Sequence, residues 1–305
     1  MMTKTQRVKL GEPLRHAAMS VFPLFSASVP ELRYELASSA MKRGAIRVEE
    51  LNWGGQVSKL LVHNRGPKPA LFLEGETLHG AKQNRALNVS VLVPEGSTTV
   101  PVSCVEQGRW SYRSRDFRHG DMHVSAKMKY GMKQSVLEAI RRRKGYQADQ
   151  SEVWGRVSEY MAAHRAPSET HDYAEVHRRT EGAREGYEKA FRYPEGCTGF
   201  VVSVGGQVVS LDLFGSASVC AEVWSGALSG HAMDALSCPR PDDTPASAIE
   251  SWLAAAAQAQ WSDAPELGMG QRRQVRFGND YGTELQLNDE VVHLSLSARG
   301  QVGRA

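Results

Sequence analysis

The chain has 305 residues, 41% of them hydrophobic, so it is long and apolar enough to bury a substantial core. Its net charge of +3 does not indicate a nucleic-acid partner. No apolar stretch approaches the roughly 20 residues that cross a bilayer, and the basic N-terminus lacks the apolar core of a secretion signal. The four cysteines include no close pair of the kind found in zinc or disulfide frameworks. We therefore expect a cytoplasmic protein with neither a membrane nor a nucleic-acid partner.

The first half of the chain is dominated by strand signals. Residues 1–20 show little hydrophobic periodicity, which predicts a loosely ordered segment. The pattern over residues 30–42 predicts a short helix closed by Gly44. From Ala45 to Val105, apolar runs alternate with clusters of turn-forming residues, so this region is predicted to build a sheet.

Helical periodicity begins after Trp110. Met128, Met132, Val136 and Ile140 recur every four residues, which predicts a helix. Similar stripes over residues 153–161 and 176–191 predict two more helices. We interpret the three as a helical insertion, or a layer on the sheet, over about residues 120–193.

Strand signals return in the last third of the chain. Gly205 and Gly206 separate two apolar runs, as in a two-residue hairpin that needs positive φ. Thr244 and Pro245 are typical of an N-cap and a first helical position. Alternation over residues 275–296 predicts antiparallel strands. The predicted fold is α+β, mainly an antiparallel sheet, in a single domain over residues 21–305.

The densest polar chemistry lies inside the most apolar, strand-like segment. Three clusters interrupt or follow its apolar runs: residues 74–76, 82–85 and 106–110. Charged groups attached directly to core strands are expected mainly at functional sites. Because the ends of consecutive strands can meet at one edge of a sheet, we predict that Glu74, Arg85 and Arg109 line a common pocket.

Three carboxylates in this segment are candidate catalytic groups. Glu74 and Glu76 are two apart, so both side chains share a face if the strand persists. Such a pair can bridge a divalent metal such as Mg or Mn, or act as acid and base. The alternative is that they form ion pairs with Lys82 and Arg85 across a hairpin. Glu106 is the third candidate for acid–base or metal chemistry.

The second cluster combines two cations, Lys82 and Arg85, with two amides, Gln83 and Asn84. Guanidinium and ammonium groups suit phosphate, and amides can both donate to and accept from ribose hydroxyls. The spacing matches neither a P-loop nor a dinucleotide-binding fingerprint. The alternative is a solvated turn between strands.

The third cluster adds Arg109 and Trp110, which together could hold a phosphate and stack on a base. A core or edge aromatic is the alternative for Trp110. Cys104 has no histidine nearby in sequence, so we interpret it as a small buried hydrophobe and not as a nucleophile. His119 and His123 are four apart and would bind metal only with a third ligand, which the sequence does not indicate.

Two strings carry a family resemblance: GAKQNR at residues 80–85 and VSCVEQGRW at residues 102–110. With the stretches at residues 199–201 and 211–215, they resemble the ARG-and-rhodanese-phosphatase-superfamily-associated protein family, in which ARG denotes ADP-ribosylglycohydrolase. The resemblance covers most of the chain from about Phe22. It implies a role in NAD and ADP-ribose metabolism and a functional link to ADP-ribosylglycohydrolase-type enzymes. It implies no particular catalytic residues.

The first functional hypothesis is a hydrolase that acts on a phosphate-bearing nucleotide-sugar of the ADP-ribose type. The predicted catalytic residues are Glu74, Glu76 and Glu106. The predicted substrate-binding residues are Lys82, Gln83, Asn84, Arg85, Arg109 and Trp110. The alternatives are a module that binds or senses the same nucleotide without turning it over, and a scaffold protein in which the polar clusters are structural.

Overall fold

The computed structural model describes residues 8–27 and 33–300. Within them, seven helices combine with mostly antiparallel strands, which confirms the predicted α+β class. The helices are α1 (Ala37–Lys42), α2 (Ala126–Arg141), α3 (Gln150–Ala163), α4 (Tyr173–Arg179), α5 (Glu181–Ala190), α6 (Ala217–Leu236) and α7 (Ala246–Gln258). The strands are β1 (Lys9–Leu10), β2 (Leu14–His16), β3 (Met19–Phe25), β4 (Glu35–Leu36), β5 (Ile46–Glu50), β6 (Lys59–Asn64), β7 (Ala70–Phe72), β8 (Glu76–Gly80), β9 (Arg85–Leu87), β10 (Val91–Val93), β11 (Gly96–Cys104), β12 (Phe117–His123), β13 (Gly199–Val204), β14 (Gln207–Phe214), β15 (Ser262–Asp263), β16 (Gln271–Phe277), β17 (Asp280–Leu287) and β18 (Glu290–Ser297).

A closed barrel holds the middle of the strand-rich half. Its strand order is β11-β6-β5-β12-β8-β9, closed by the pairing of β9 with β11. Buried aliphatic side chains such as Val48, Val62 and Leu78 pack together as one apolar cluster of the barrel strands. The polar residues predicted to form the site therefore lie at strand ends and turns of this barrel.

The second large element is a nine-stranded antiparallel sheet with the order β1-β3-β13-β14-β18-β17-β16-β15, and β2 paired to β3. The predicted hairpin is confirmed: Gly205 and Gly206 have φ of +59° and +83° between β13 and β14. Residues 9–20, for which low periodicity predicts loose order, instead contribute β1, β2 and the start of β3. Pairing across the sheet orders a segment that local periodicity does not mark.

A short three-stranded sheet, β10-β7-β4, connects these two elements. Here Glu35 and Leu36 pair in parallel with β7, so the helix predicted over residues 30–42 is shorter and begins at Ala37. Residues 30–32 of that prediction lie outside the described residues. Tertiary pairing with β7 has overridden the local helical pattern.

The helical insertion contains four helices and not three. The stripe over residues 176–191 is divided between α4 and α5 at Thr180, whose hydroxyl donates to the carbonyls of Val176 and His177. Such bonds compete with the helical ladder. Helix α7 also differs from prediction: Pro245 is its N-cap residue, and the backbone N–H of Thr244 donates to Asp242.

Helices α2 and α6 connect the barrel to the large sheet. Helix α2 contacts β14, β17 and β18, and α6 contacts β12 on one side and β13 and β14 on the other. Among the described helices, none combines the length and apolar character needed to cross a membrane. The barrel strand β12 and helices α4 to α6 thus lie close together, and they form the walls of the cleft discussed below.

Candidate functional site

A tight turn separates the first two candidate carboxylates. Strand β7 ends at Phe72, Gly75 has φ of +83°, and the N–H of Glu76 donates to the carbonyl of Leu73 at 3.1 Å. The strand does not persist from Glu74 to Glu76, so the condition under which both carboxylates would share a face is not met. A conformation that favours glycine reverses the chain between them.

Glu74 forms a buried ion pair with helix α2. Its Oε1 lies 3.2 Å from Lys133 Nζ, and its Oε2 accepts a hydrogen bond from Thr283 Oγ1 at 3.2 Å. Lys133 also donates to the carbonyl and the hydroxyl of Ser295, each at 2.9 Å. Burial lowers the pKa of Lys133, and the charge of Glu74 opposes that shift. Glu74 thus connects the turn to α2 and the large sheet.

Glu76 is buried on the barrel side of the same turn. Its Oε2 accepts a hydrogen bond from the N–H of Leu73 at 2.8 Å, and its Oε1 lies 3.5 Å from His119 Nε2. Burial raises the pKa of Glu76, but the interactions with His119 outweigh it and the pKa is lowered. For His119 the balance is reversed: burial lowers the pKa, and the carboxylate raises it above its ordinary value.

Glu106 and Arg109 form a buried bidentate pair. Arg109 donates from Nε to Oε1 at 2.8 Å and from Nη2 to Oε2 at 2.6 Å. The N–H of Asn84 donates to the same Oε2 at 3.0 Å. Burial raises the pKa of Glu106, but these donors lower it below its ordinary value. Arg109 also donates to the carbonyls of Gly80 and Ala81, so the pair holds together two of the predicted clusters.

Arg85 belongs to strand β9, not to a solvated turn, and it is fully buried. Its Nη1 donates to the carbonyl of Gln83 at 3.0 Å, and its Nη2 lies 3.6 Å from Glu50 Oε1. Its guanidinium carbon lies 5.5 Å from the ring centroid of Trp110. Burial is the largest influence on Arg85 and lowers its pKa.

Lys82 and Gln83 fix the loops at the same end of the barrel. Lys82 Nζ donates to the carbonyl of Gly54 at 2.8 Å and lies 5.3 Å from the ring centroid of Trp110. Gln83 Nε2 donates to the carbonyl of Gln107 at 3.2 Å. Trp110 is 45% exposed, so its ring is neither buried in the core nor fully exposed to solvent.

The structure therefore brings together seven of the nine predicted site residues at one end of the barrel and gives the other two different partners. The connected set is Lys82, Gln83, Asn84, Arg85, Glu106, Arg109 and Trp110. Glu74 and Glu76 do form ion pairs, as one alternative predicted, but with Lys133 and His119 instead of Lys82 and Arg85. A pocket shared by Glu74 with Arg85 and Arg109 remains a prediction.

A cleft of about 1060 Å³ opens beside this connected set. It lies between β8 and β12 of the barrel and helices α4, α5 and α6. Its lining includes the cations Arg113, Arg118, Arg178 and Arg184, the imidazoles His79 and His177, and the carboxylates Asp116, Asp121, Asp172, Glu175, Glu181 and Glu188. Of the nine predicted site residues, Asn84 lines it. We call this space the cleft.

Asp172 faces Asn84 across one wall of the cleft. Asn84 Nδ2 donates to both carboxylate oxygens, at 3.1 and 3.0 Å, and the N–H of Ala174 donates to Oδ1 as the cap of α4. Burial is the main reason that the pKa of Asp172 is raised, to about 6; the Asn84 hydrogen bond opposes the shift and the charge of Glu106 adds to it. A carboxyl group with this pKa can exchange a proton near neutral pH.

A family comparison covers the segments that contain the GAKQNR and VSCVEQGRW strings. The model of the ARG and Rhodanese-Phosphatase-superfamily-associated Protein domain, ARPP-1, matches residues 7–297. The chain belongs to the ARPP-1 family. No curated protein and no solved structure matches this ARPP-1 chain in the corresponding comparisons. Family membership therefore supplies a context, ADP-ribosylglycohydrolase and rhodanese-phosphatase proteins, and the geometry has to supply the chemistry.

Sequence reasoning did not find Asp172 in the ARPP-1 chain. The residue lies far from the three polar clusters, and the one local signal was its place just before a helical stripe, which is typical of an N-cap. A short antiparallel bridge between Glu106 and Asp172 brings the two segments together. Only the tertiary fold reveals that this cap also faces Asn84 and the cleft.

His79 lies in the cleft wall. Burial, followed by the charge of Arg118, lowers its pKa to about 4, so the ring is neutral at pH 7. Its Nε2 has no hydrogen-bond partner among the described residues. It lies beside Gly120, where an added Cβ would come within 2.6 Å of it. A neutral imidazole has one donor and one acceptor nitrogen, and the described part of the protein leaves the buried Nε2 without a partner.

The residues predicted as metal ligands do not converge. Across residues 8–27 and 33–300, no group of three or more His, Cys, Asp or Glu side chains is arranged to hold a metal ion. Glu74 and Glu76 each have one oxygen near a cationic or imidazole partner of their own.

Proposed function

We propose that this ARPP-1 protein binds a phosphate-bearing nucleotide-sugar of the ADP-ribose type in the cleft. The observation that carries the proposal is the position of Asn84, from the most specific sequence string, opposite Asp172 in a cleft whose lining combines four arginines with six carboxylates. Its volume of about 1060 Å³ is slightly larger than that of ordinary ligand pockets, which span roughly 300–1,000 Å³. The family context supplies the ADP-ribose connection.

Arg113 is the cation best placed to bind phosphate. Its backbone N–H donates to the carbonyl of Ala81 at 3.0 Å, so the base of the side chain is anchored. The side chain is 57% exposed, and Nη2 lies 3.7 Å from Glu106 Oε1. Because Arg109 already neutralises Glu106, Arg113 can give its guanidinium fork to a ligand. Glu106 and Arg109 then support the cleft from behind its wall.

We further propose hydrolysis, with Asp172 as the proton carrier. The carboxylate would take a proton from water while the water oxygen forms the new bond to the substrate and the leaving group departs. The pKa of about 6 supports this role, because it permits both protonation states near neutral pH. His79, neutral and facing the same cleft, would orient the water or the leaving group.

One observation favours a binding or sensing module as the second candidate. The three carboxylates predicted as catalytic each accept a hydrogen bond from a protein donor: Thr283 for Glu74, the N–H of Leu73 for Glu76, and Arg109 for Glu106. Groups held in this way stabilise the fold and position neighbours whether or not turnover occurs. In this reading the cleft binds the nucleotide and Asp172 remains a helix cap. A scaffold role would require neither nucleotide binding nor turnover.

Ligand binding tests the proposal. ADP-ribose and NAD should raise the melting temperature of the protein, with or without Mg or Mn, and adenosine should raise it far less. Arg113→Ala should weaken ADP-ribose binding by about 1.5–3 kcal/mol, the cost of one charge-assisted hydrogen bond. Arg142→Ala, at the exposed end of α2, is the matched control and should bind normally. Equal shifts for all three ligands, or no shift, would contradict the proposal.

A further inference from the structure

Two aromatic rings are presented to solvent next to the cleft. Trp53 is 87% exposed, the highest value among the large hydrophobic side chains that are exposed in the described residues. Tyr112 is 41% exposed, and the two ring centroids lie 5.7 Å apart with an angle of 38° between the rings. An exposed tryptophan ring leaves apolar surface in contact with water, so a ligand that covers the ring gains favourable burial. We call this pair the aromatic shelf.

Polar contacts hold the shelf in place. The hydroxyl of Tyr112 donates to the carbonyl of Trp53 at 3.5 Å. Lys82 Nζ donates to the carbonyl of Gly54 and lies 5.1 Å from the Tyr112 ring centroid, so it ties both loops together. Trp110, the ring predicted from sequence to stack on a base, already packs against the cations of Lys82 and Arg85. The ring presented for a ligand is therefore that of Trp53.

The shelf borders a second cavity, of about 660 Å³, that shares lining residues with the cleft. Arg113 and Ser114 line both spaces, so a ligand that reaches across Arg113 occupies both. Glu50 also lines the second cavity. Glu50 is 7% exposed. Its Oε2 lies close to Gly55 and has no hydrogen-bond partner in the described part of the chain. A buried carboxylate oxygen without a donor calls for one from a ligand.

We propose that the aromatic shelf binds the base of the nucleotide, an aminopurine such as adenine. This inference rests on the proposed function and assigns the two ends of its ligand. The base stacks on Trp53. After a small shift of the Gly54–Gly55 segment, the exocyclic amine of the base donates a hydrogen bond to Glu50. The phosphates extend past Arg113 into the cleft. Base–aromatic stacking contributes about 1–3 kcal/mol per base, and an amine is the donor that a carboxylate requires.

The test uses four probes: AMP, IMP, ADP-ribose and ribose 5-phosphate, titrated calorimetrically. Trp53→Ala should weaken AMP and ADP-ribose by about 5- to 150-fold, the equivalent of one stacked base, and leave ribose 5-phosphate unchanged. Trp53→Phe should retain most of the affinity, because the ring remains. Val57→Ala, an exposed apolar residue of the same loop, is the matched control and should bind all four normally.

The probes separate the possible failures. If wild type binds ADP-ribose and Trp53→Ala binds it equally well, the shelf assignment is wrong and the proposed function stands. If wild type binds none of the four probes, both the shelf assignment and the proposed function are wrong. Within wild type, AMP should bind at least about tenfold more tightly than IMP, whose carbonyl would face the Glu50 carboxylate. Equal affinity for AMP and IMP would overturn the assignment of the exocyclic amine to Glu50. This comparison uses wild-type protein, so no substitution can disturb folding.

Discussion

Lys133 and Glu74 form an ion pair at 3.2 Å in which each side chain is only 1% exposed. The pair joins helix α2 to the turn that precedes the barrel strand β8. It explains why charge occurs inside so apolar a segment: the carboxylate connects three elements in the interior. A buried ion pair of this kind is tolerated mainly because both members are hydrogen-bonded as well, here by Thr283 and Ser295.

Breaking this pair should destabilise the fold. Lys133→Met leaves the Glu74 carboxylate buried without its cation, and we expect a loss of about 3–5 kcal/mol in the free energy of unfolding in urea. The matched control is Lys127→Met, because Lys127 and Glu159 are also 3.2 Å apart but half-exposed. That substitution should cost less than about 1 kcal/mol. Similar losses for the two variants would contradict the structural role of Glu74.

His231 should make the stability pH-dependent. Burial lowers its pKa to about 4, compared with about 6.5 in the unfolded chain. Between these values the unfolded state binds more protons, so the contribution of His231 is present above pH 6.5 and is lost as the pH falls to 4. The stability advantage of wild type over His231→Gln should therefore shrink over this window, by up to about 1.4 kcal/mol per pH unit. Urea unfolding at several pH values measures it.

An advantage of wild type over His231→Gln that stays constant between pH 4 and 6.5 would show that the His231 ring is not kept neutral by burial.

Gly120 permits the close approach of strands β8 and β12 in the cleft wall. A Cβ at this position would overlap Thr77 Oγ1 and come within 2.6 Å of His79 Nε2. Gly120→Ala should therefore destabilise the protein by about 1–3 kcal/mol, as overpacking does. In contrast, Gly155 is an exposed position of α3 with open space at its Cβ, and Gly155→Ala should stabilise by about 0.5–1 kcal/mol. Chemical denaturation of both variants tests the contrast.

Elements with strong local signals were predictable from sequence. The four-residue spacing from Met128 to Ile140 predicted α2, which spans Ala126–Arg141. The pair Gly205-Gly206 predicted the β13–β14 hairpin, because a two-residue turn with positive φ admits few other residues. Local periodicity and turn chemistry are short-range properties, and these elements depend on little else.

Elements that depend on distant contacts were not predictable in the same way. The segment Glu35–Leu36 is a strand because β7 pairs with it, and Arg85 is buried in a strand because β11 covers it. The site shows the same limit. Two of the three polar clusters did mark the end of the barrel at which Asn84, Glu106 and Arg109 meet. No local pattern connects them to Asp172, which only the packing of α4 brings to Asn84.

Asp172→Asn separates an enzyme from a binder. If Asp172 carries a proton in hydrolysis, Asp172→Asn should abolish turnover of ADP-ribose and keep the affinity for ADP-ribose within about threefold. The reason is that an interaction used only in the transition state does not contribute to substrate binding. Glu106→Gln is the comparison. Glu106→Gln also places an amide next to Asn84, but it removes the negative charge that pairs with Arg109. A loss of stability should therefore accompany any loss of activity in Glu106→Gln. Full turnover by Asp172→Asn would favour the sensing module.

The central claim is that the cleft between the barrel and helices α4 to α6 holds a phosphate-bearing nucleotide-sugar. A crystal structure of the protein with ADP-ribose tests it most directly. We predict phosphate oxygens within hydrogen-bond distance of Arg113, a ribose beside Asn84 and Asp172, and the adenine on Trp53. ADP-ribose bound at a site remote from these residues, or absent from crystals soaked at millimolar concentration, would contradict the account.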